Sequence, residues 1–298
     1  MLQIKNTLGG GKPEGLYAWK KLSAQGGDFI SYVVNNDPNK YPSNGLHTDG
    51  YYYELFARPP VKIVTWADGT DAEIAAMVRA ADKGQINLAD YWSVGDERQV
   101  TLSAMEATGV GESHAEQTVT MVLMHQGLYQ LVGGGTCNFI VGQKNGFATR
   151  GYMNSSNTNS GSWDGCARRT WCNEVYYNAI PETLRPIFKK FKTVTAESYN
   201  GTTNKISEDY FALAAEKEIF GTRTNSNSTE AAALTQFEYY VTESNRIKKE
   251  GDNGANYSWW MRSPYVNSAA DFCLVFANGT VNTYGASHKR SVAPFGCI

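Results

Sequence analysis

The residues of this chain that could do chemistry are few, and their spacing argues against catalysis. Four histidines occur, His47, His114, His125 and His288. Imidazole serves as a base or a metal ligand near neutral pH. None of the four stands in an HExxH pattern or pairs with a second ligand at helical spacing. His125, inside VLMHQG, is expected on a strand with its ring held by a hydrogen bond. The five cysteines, Cys137, Cys166, Cys172, Cys273 and Cys297, are odd in number and include no CxxC pair. They are expected as small buried apolar residues, with a Cys166–Cys172 bridge left open. No GxSxG nucleophile elbow occurs. GVGES and VGGGTCNF are glycine-rich without forming a phosphate loop. Glu216 and Glu218 lie two apart in a helical setting, which predicts a solvated face; a glycosidase pair of carboxylates has no recognisable sequence signature. The expectation is no enzyme, no cofactor and no metal.

The chemistry that remains is recognition. The chain carries 18 Tyr, 7 Trp and 29 Gly beside many Asn and Ser. Rings among small polar residues build loop-borne binding surfaces, because a ring supplies contact area at low entropic cost. Such a mixture also occurs in glycine-rich β proteins generally. In DFCLVF, strand alternation puts Cys273 and Val275 on one face and Phe272, Leu274 and Phe276 on the other. Both faces are apolar. Either both are buried, or Leu274 and Phe276 face a ligand together with Tyr265, Tyr284, His288, Lys289 and Arg290 from neighbouring segments. Asn278-Gly279 reads as a two-residue hairpin turn between DFCLVF and VNTY.

The elements that must position these residues can be read along the chain. Over residues 1 to about 60, LYAWKKL, FISYVVNN and YYYELFA are strand-like, and Asn35, Asn36, Asp37 and Pro38 punctuate them. Thr70 and Glu73 have capping-box spacing, Ile74, Met77, Val78 and Ala81 follow a helical period, and Gly84 is a stop, so a helix is predicted over about 71–82. Val100 and Leu102 alternate with polar residues. In QTVTMVLMHQGLYQL, Val119, Met121 and Leu123 share a face. RRTWCNEVYYNAI reads as a helix ended by Pro181. PETLRPIFKKF offers Leu184, Ile187, Phe188 and Phe191 at helical spacing. DYFALAAEKEIFG mixes a strand with a helical turn, and STEAAALTQFEYY is a helix or an ordered insertion. No tandem repeat is found.

With 298 residues, 42% hydrophobic and 19% charged, the chain can bury a sizeable core in one large or two modest domains. A net charge of −2 gives no electrostatic reason to expect nucleic acid. No run reaches the roughly 18 apolar residues of a membrane span. MLQIKNTLGGGKPEG lacks the apolar core of a secretory signal. These features predict a cytoplasmically made protein without membrane insertion.

Several motifs are similar to those of a known group. WWMRSP, FC followed by V and NG, and the terminal VAPFGCI resemble the variable proteins of diversity-generating retroelements in gut bacteria and their phages. WSVGDERQVTLSAMEATGVGES and GCARRTWCNEV resemble a domain of unknown function of the same group. The resemblance spans about residues 86–298; FISYVV and HTDGYYYE resemble segments of phage tail-associated proteins. In such systems a reverse transcriptase copies a template with errors at adenines, and the copy replaces the end of the gene. The resemblance implies an α+β architecture with a C-type lectin fold at 86–298, and a small β-rich tail-associated module with a linking helix at 1–85. It implies variable, ligand-binding positions at Tyr265, Asn267, Ala269, Ala270, Asp271, Leu274, Phe276, Ala277, Asn282, Thr283, Tyr284, His288 and Arg290. The residues at all thirteen positions are reachable from an asparagine codon by change at its first two bases, whereas Lys289 is not. Trp259, Trp260, Arg262, Phe272, Cys273 and Val275 would form the constant scaffold. The EPN, QPD and WND signatures of calcium-dependent sugar-binding lectins are absent, and Trp163-Asp164 is only a partial echo of the last.

The function so implied is receptor recognition by a phage or prophage adhesin, located in the virion (phage tail) or made in the cytoplasm as a prophage product. A host cell-surface protein or glycan would be the partner, and a homotrimer or a monomer would present the surface. Two alternatives stand beside it: a structural tail or baseplate component without diversified binding, and a phage depolymerase acting on surface glycan.

Overall fold

The structure is a computed structural model that describes residues 17–25, 27, 29–35, 45–46, 49–57 and 61–298. The segment MLQIKNTLGGGKPEG, the punctuating residues Asn36, Asp37 and Pro38, and His47 lie outside the described residues. The architecture is mixed and mostly β. The chain divides into two compact units, residues 1–65 with 72–91, and residues 66–71 with 92–298.

In the first unit, β1 (Tyr17–Leu22), β2 (Phe29–Asn35), β3 (Gly45–Leu46) and β4 (Tyr52–Ala57) form an antiparallel sheet of order β2-β1-β4-β3. The predicted helix, α1, runs Asp71–Asp82 and buries Ile74, Met77 and Val78 at the spacing that its sequence shows. It stops where expected: Gly84 takes φ +65°, and the Gly84 and Gln85 amides donate to the Ala81 and Ala80 carbonyls at 2.8 and 3.0 Å. A side chain would strain that left-handed residue.

The second unit is built on a five-stranded antiparallel sheet. Its members are β5 (Glu97–Leu102), β6 (Gln117–Gln126), β7 (Phe139–Gln143), β10 (Phe211–Ala212) and β14 (Phe295–Cys297), in the order β10-β14-β7-β6-β5. On β5, Val100 and Leu102 are buried in alternation. On β6, every residue from Val119 to Met124 is buried, so both faces of this inner strand are covered rather than the one face that its period suggested. Between β7 and β10, β8 (Phe191–Ala196) pairs with β9 (Asn204–Asp209).

RRTWCNEVYYNAI is helical as predicted. The helix spans 167–179, with a π-helical stretch at Trp171–Tyr176 between α-helical ends. Ile180, before Pro181, turns to the extended region, as a residue preceding proline must. PETLRPIFKKF departs from the helix its apolar spacing predicts. It makes one 3-10 turn at Arg185–Ile187 and then enters β8. Pro186 supplies no amide for a longer ladder, although Leu184, Ile187, Phe188 and Phe191 are all buried. DYFALAAEKEIFG gives β10 and a helical turn at Glu216–Phe220, and STEAAALTQFEYY gives short turns at Ser228–Ala232 and Glu238–Val241.

Candidate binding surface

The C-terminal residues fold as a ribbon of three antiparallel strands, β11 (Trp259–Pro264), β12 (Asp271–Val275) and β13 (Val281–Gly285). β12 lies in the middle, with Trp260 and Asn282 opposite Leu274, and Trp259 and Val281 opposite Val275. Phe272, Cys273, Leu274 and Val275 are each 0% exposed. The first reading of DFCLVF therefore holds for the strand, and Leu274 is removed from the ligand-facing set. Both faces of this strand are covered, so Leu274 does not reach solvent whichever way alternation points it. Phe276, just past the strand, is half-buried.

The hairpin turn also differs from its sequence signal. The Phe276 amide donates to the Thr280 carbonyl at 2.8 Å, and the Gly279 amide to the Phe276 carbonyl at 2.9 Å. The loop thus has three residues, and only Gly279, at φ +85°, is left-handed. This is a type I turn followed by a glycine bulge, the alternative to the two-residue turn. Asn278 serves it with its side chain, accepting from the Thr280 amide at 3.1 Å and hydroxyl at 2.7 Å.

Beneath the ribbon the expected scaffold is completely buried: Trp259, Trp260, Arg262, Phe272, Cys273 and Val275. Trp259 and Trp260 donate their indole N–H groups to the Arg246 and Gly151 carbonyls, at 2.9 and 3.1 Å. Arg262 forms a two-pronged pair with Glu218 at 2.6 and 2.7 Å and also donates to the Leu213 carbonyl at 2.9 Å. Tyr129, whose hydroxyl donates to Glu218, packs among Phe191 and Phe295 at 4.9 and 5.7 Å between ring centroids. The tie runs from the ribbon to the five-stranded sheet. The ion pair and burial act in opposition on Arg262, and the two oxygens of Glu218 hold its guanidinium above its ordinary range.

Glu216 and Glu218 are not a solvated face. Both are buried, because the helical turn carrying them is covered. Glu216 accepts from the amides of Thr224, Asn225 and Ser226 at 2.5–3.0 Å and so fixes the loop beside the ribbon. Its own amide donates to the Ser263 hydroxyl at 3.0 Å, which in turn donates to Glu230. Burial pushes the Glu230 carboxyl up to about 7. These acids are structural acceptors, and their hydrogen bonds are satisfied within the frame.

The remaining candidates sort by the end of the ribbon at which they lie. Tyr265, Asn267, Ala269, Ala270 and Asp271 form the β11–β12 connection, and Tyr284, His288 and Arg290 stand at the same end, since Phe272 pairs with Tyr284. Asn267, Ala269, Tyr284 and His288 are exposed, and Tyr265, Ala270, Asp271 and Arg290 half-buried. Asn282 and Thr283 are half-buried along β13, on opposite faces. Phe276 and Ala277 sit at the far end, at the turn near Arg246 and Ile247. The structure therefore gathers eight candidates at one end, two along the edge strand and two at the other end, and buries one.

Sequence reasoning missed the partner of this end. The loop MNSSNTNS lies against it. Asn159 donates to the Ser268 and Asp271 carbonyls at 2.7 and 2.8 Å, and the Met153 amide donates to the Ala286 carbonyl at 2.9 Å. A side chain at Gly285 would collide with Asn157. Ser155, Ser156 and Asn157 are exposed there. The asparagines and serines were visible in the sequence, but no local signal joins segments so far apart in the chain.

The candidate chemistry elsewhere is quiet. All five cysteines are buried and free, and the Cys166 thiol donates to the Met153 carbonyl at 3.1 Å. His125 accepts from the Glu238 amide at 3.1 Å, as a strand histidine was expected to do. His114, against Phe147 and Trp171, is lowered to about 4 by burial and by Arg168. Among the described residues no group of three or more His, Cys, Asp or Glu is placed to hold a metal, and no helix is long and apolar enough to cross a membrane. A family model, described as a domain of unknown function (DUF6273), matches residues 138–298. No curated protein and no solved structure matches the chain.

Proposed function

The chain belongs to the DUF6273 family, a domain of unknown function, and for this member we propose that the end of the C-terminal ribbon is a sequence-variable surface for binding a receptor on a host cell. The observation that carries the reading is a division of labour within one ribbon. The frame residues Trp259, Trp260, Arg262, Phe272, Cys273 and Val275 are wholly buried. Twelve of the thirteen candidate positions keep access to solvent, with Leu274 the exception. A surface carried on rigid, internally bonded strands tolerates exchange of its side chains without refolding. That property is what a diversified binding protein needs, and a catalytic site has no use for it.

We read the second unit as a C-type-lectin-like fold and the protein as a phage or prophage adhesin. Support comes from the resemblance of WWMRSP, FC-V-NG and VAPFGCI to variable proteins of diversity-generating retroelements. Repeated copies on a tail would raise weak single-site binding through effective concentration. Sequencing the DNA beside the gene tests the reading. A near-copy of the last forty codons, differing mainly at adenines and followed by a reverse transcriptase, is expected. Its absence favours a structural tail component.

A further inference from the structure

The end of the ribbon carries a set of hydrogen-bond donors beside one ribbon acid, the half-buried Asp271, which forms no ion pair with Arg290. The Arg290 guanidinium stands over the Tyr284 ring, 4.1 Å from its centroid, and His288 meets the same ring edge to face at 4.6 Å. Tyr284 is 38% exposed, and His288 is exposed beside it. Stacking orients the guanidinium without using its N–H groups. One nitrogen, Nη1, donates to the Lys289 carbonyl at 2.7 Å. Lys289 has its counter-charge, because its ammonium is paired with Glu112. Arg290 makes no ion pair among the described residues. A planar guanidinium, an imidazole and a phenol ring are thus packed together at this end, and the remaining N–H groups of the guanidinium suit a carboxylate held by two parallel bonds.

The surroundings narrow the class of ligand. The rim consists of Ser155, Ser156 and Asn157, hydroxyls and an amide of the kind that bond sugar hydroxyls. Tyr284 is the one exposed large hydrophobic residue at this end; the others among the described residues, Val132, Ile206 and Val241, lie in other segments. A protein partner would call for a larger apolar centre inside its polar rim. We propose that this end binds an acidic sugar of a cell-surface polysaccharide, with Arg290 taking the sugar carboxylate and Tyr284 and Asn157 holding the ring that bears it. This rests on the reading of the ribbon end as a ligand surface and names the ligand class for it.

The test uses the full chain on immobilised polymers: polygalacturonate, alginate and polysialic acid, against methyl-esterified polygalacturonate, sulfated dextran and polyaspartate. Retention on at least one carboxylated polysaccharide is expected, with none on the methyl ester and weaker retention as salt rises. Arg290→Gln should lower that retention at least tenfold with its melting temperature unchanged, and Arg290→Lys should fall between. Equal retention on the methyl ester, sulfated dextran or polyaspartate, an unaffected Arg290→Gln, or no retention on any carboxylated polysaccharide overturns the inference. Binding to intact host cells separates the two readings. If Tyr284→Ala weakens cell binding and Arg290→Gln does not, the acidic-sugar assignment fails and the ribbon surface stands. If neither does, both fail.

Discussion

Leu274 and Tyr284 lie on neighbouring strands of one small ribbon, and truncating them should have opposite consequences. Leu274 is 0% exposed and sits opposite Trp260 and Asn282. Leu274→Ala removes the equivalent of two to three buried methylenes, about 2 kcal/mol at roughly 0.8 kcal/mol each. Flanking strands hold the site open, so a cavity term of about 1–2 kcal/mol adds to this. The expected loss is about 3–4 kcal/mol, or roughly 6–16 °C in Tm for a unit of this size. Tyr284→Ala, at an exposed edge position, should change stability by less than about 1 kcal/mol while reducing cell binding. Urea melts followed by tryptophan fluorescence measure both, and binding is compared at a temperature where each variant is folded. A Leu274→Ala variant within 1 kcal/mol of the parent, or one that loses binding while staying folded, would refute the assignment of position 274 to the frame.

Three further outcomes follow from the frame and its buried charges. Arg262→Met leaves Glu218 buried without its counter-charge and should cost about 3–5 kcal/mol, whereas Arg262→Met with Glu218→Leu should recover most of it; denaturant melts of the four proteins give the coupling. Gly285→Ala should cost less than about 1 kcal/mol, because the nearest atoms its methyl meets are the end of the exposed Asn157 side chain, which can swing aside; a larger loss in a urea melt would contradict this. Two groups should offset each other in acid. His114, lowered from 6.5 to about 4, makes the fold lose stability as pH falls through that window, because the unfolded chain takes up the proton first. Glu230, raised from 4.5 to about 7, makes it lose stability as pH rises from 4.5 to 7. Their slopes, each up to about 1.4 kcal/mol per pH unit, oppose, so Glu230→Gln should expose an acid lability between pH 6.5 and 4.5 that the parent lacks. Melts across that range check it, and a variant profile as flat as the parent's contradicts the pairing.

How much could be read from the chain depended on whether a residue's environment is set locally. Helix α1 could be placed to the residue, because its apolar period and its glycine stop all lie within fifteen positions. The strands around Gly279 were equally plain. What failed required knowledge of distant neighbours. The apolar spacing of Leu184, Ile187, Phe188 and Phe191 reported burial correctly but not helix, since Pro186 and the pairing of β8 with β9 decide the backbone. Glu216 and Glu218 read as solvated because charged residues usually are; their acceptors' partners come from the 224–226 loop and from Arg262. Leu274 was set among surface positions by the resemblance, and a strand with two apolar faces does not itself say which face is covered. The Asn157 loop was out of reach, because no periodicity links it to Gly285.

The central claim, that variable side chains ride on a fixed frame, is tested most directly by sequencing the last forty codons in many natural copies of the gene. Changes should concentrate at positions such as 267, 269, 284, 288 and 290, and spare Trp259, Trp260, Arg262, Cys273 and Leu274. Substitutions spread evenly over exposed and buried positions, or none at all, would contradict it.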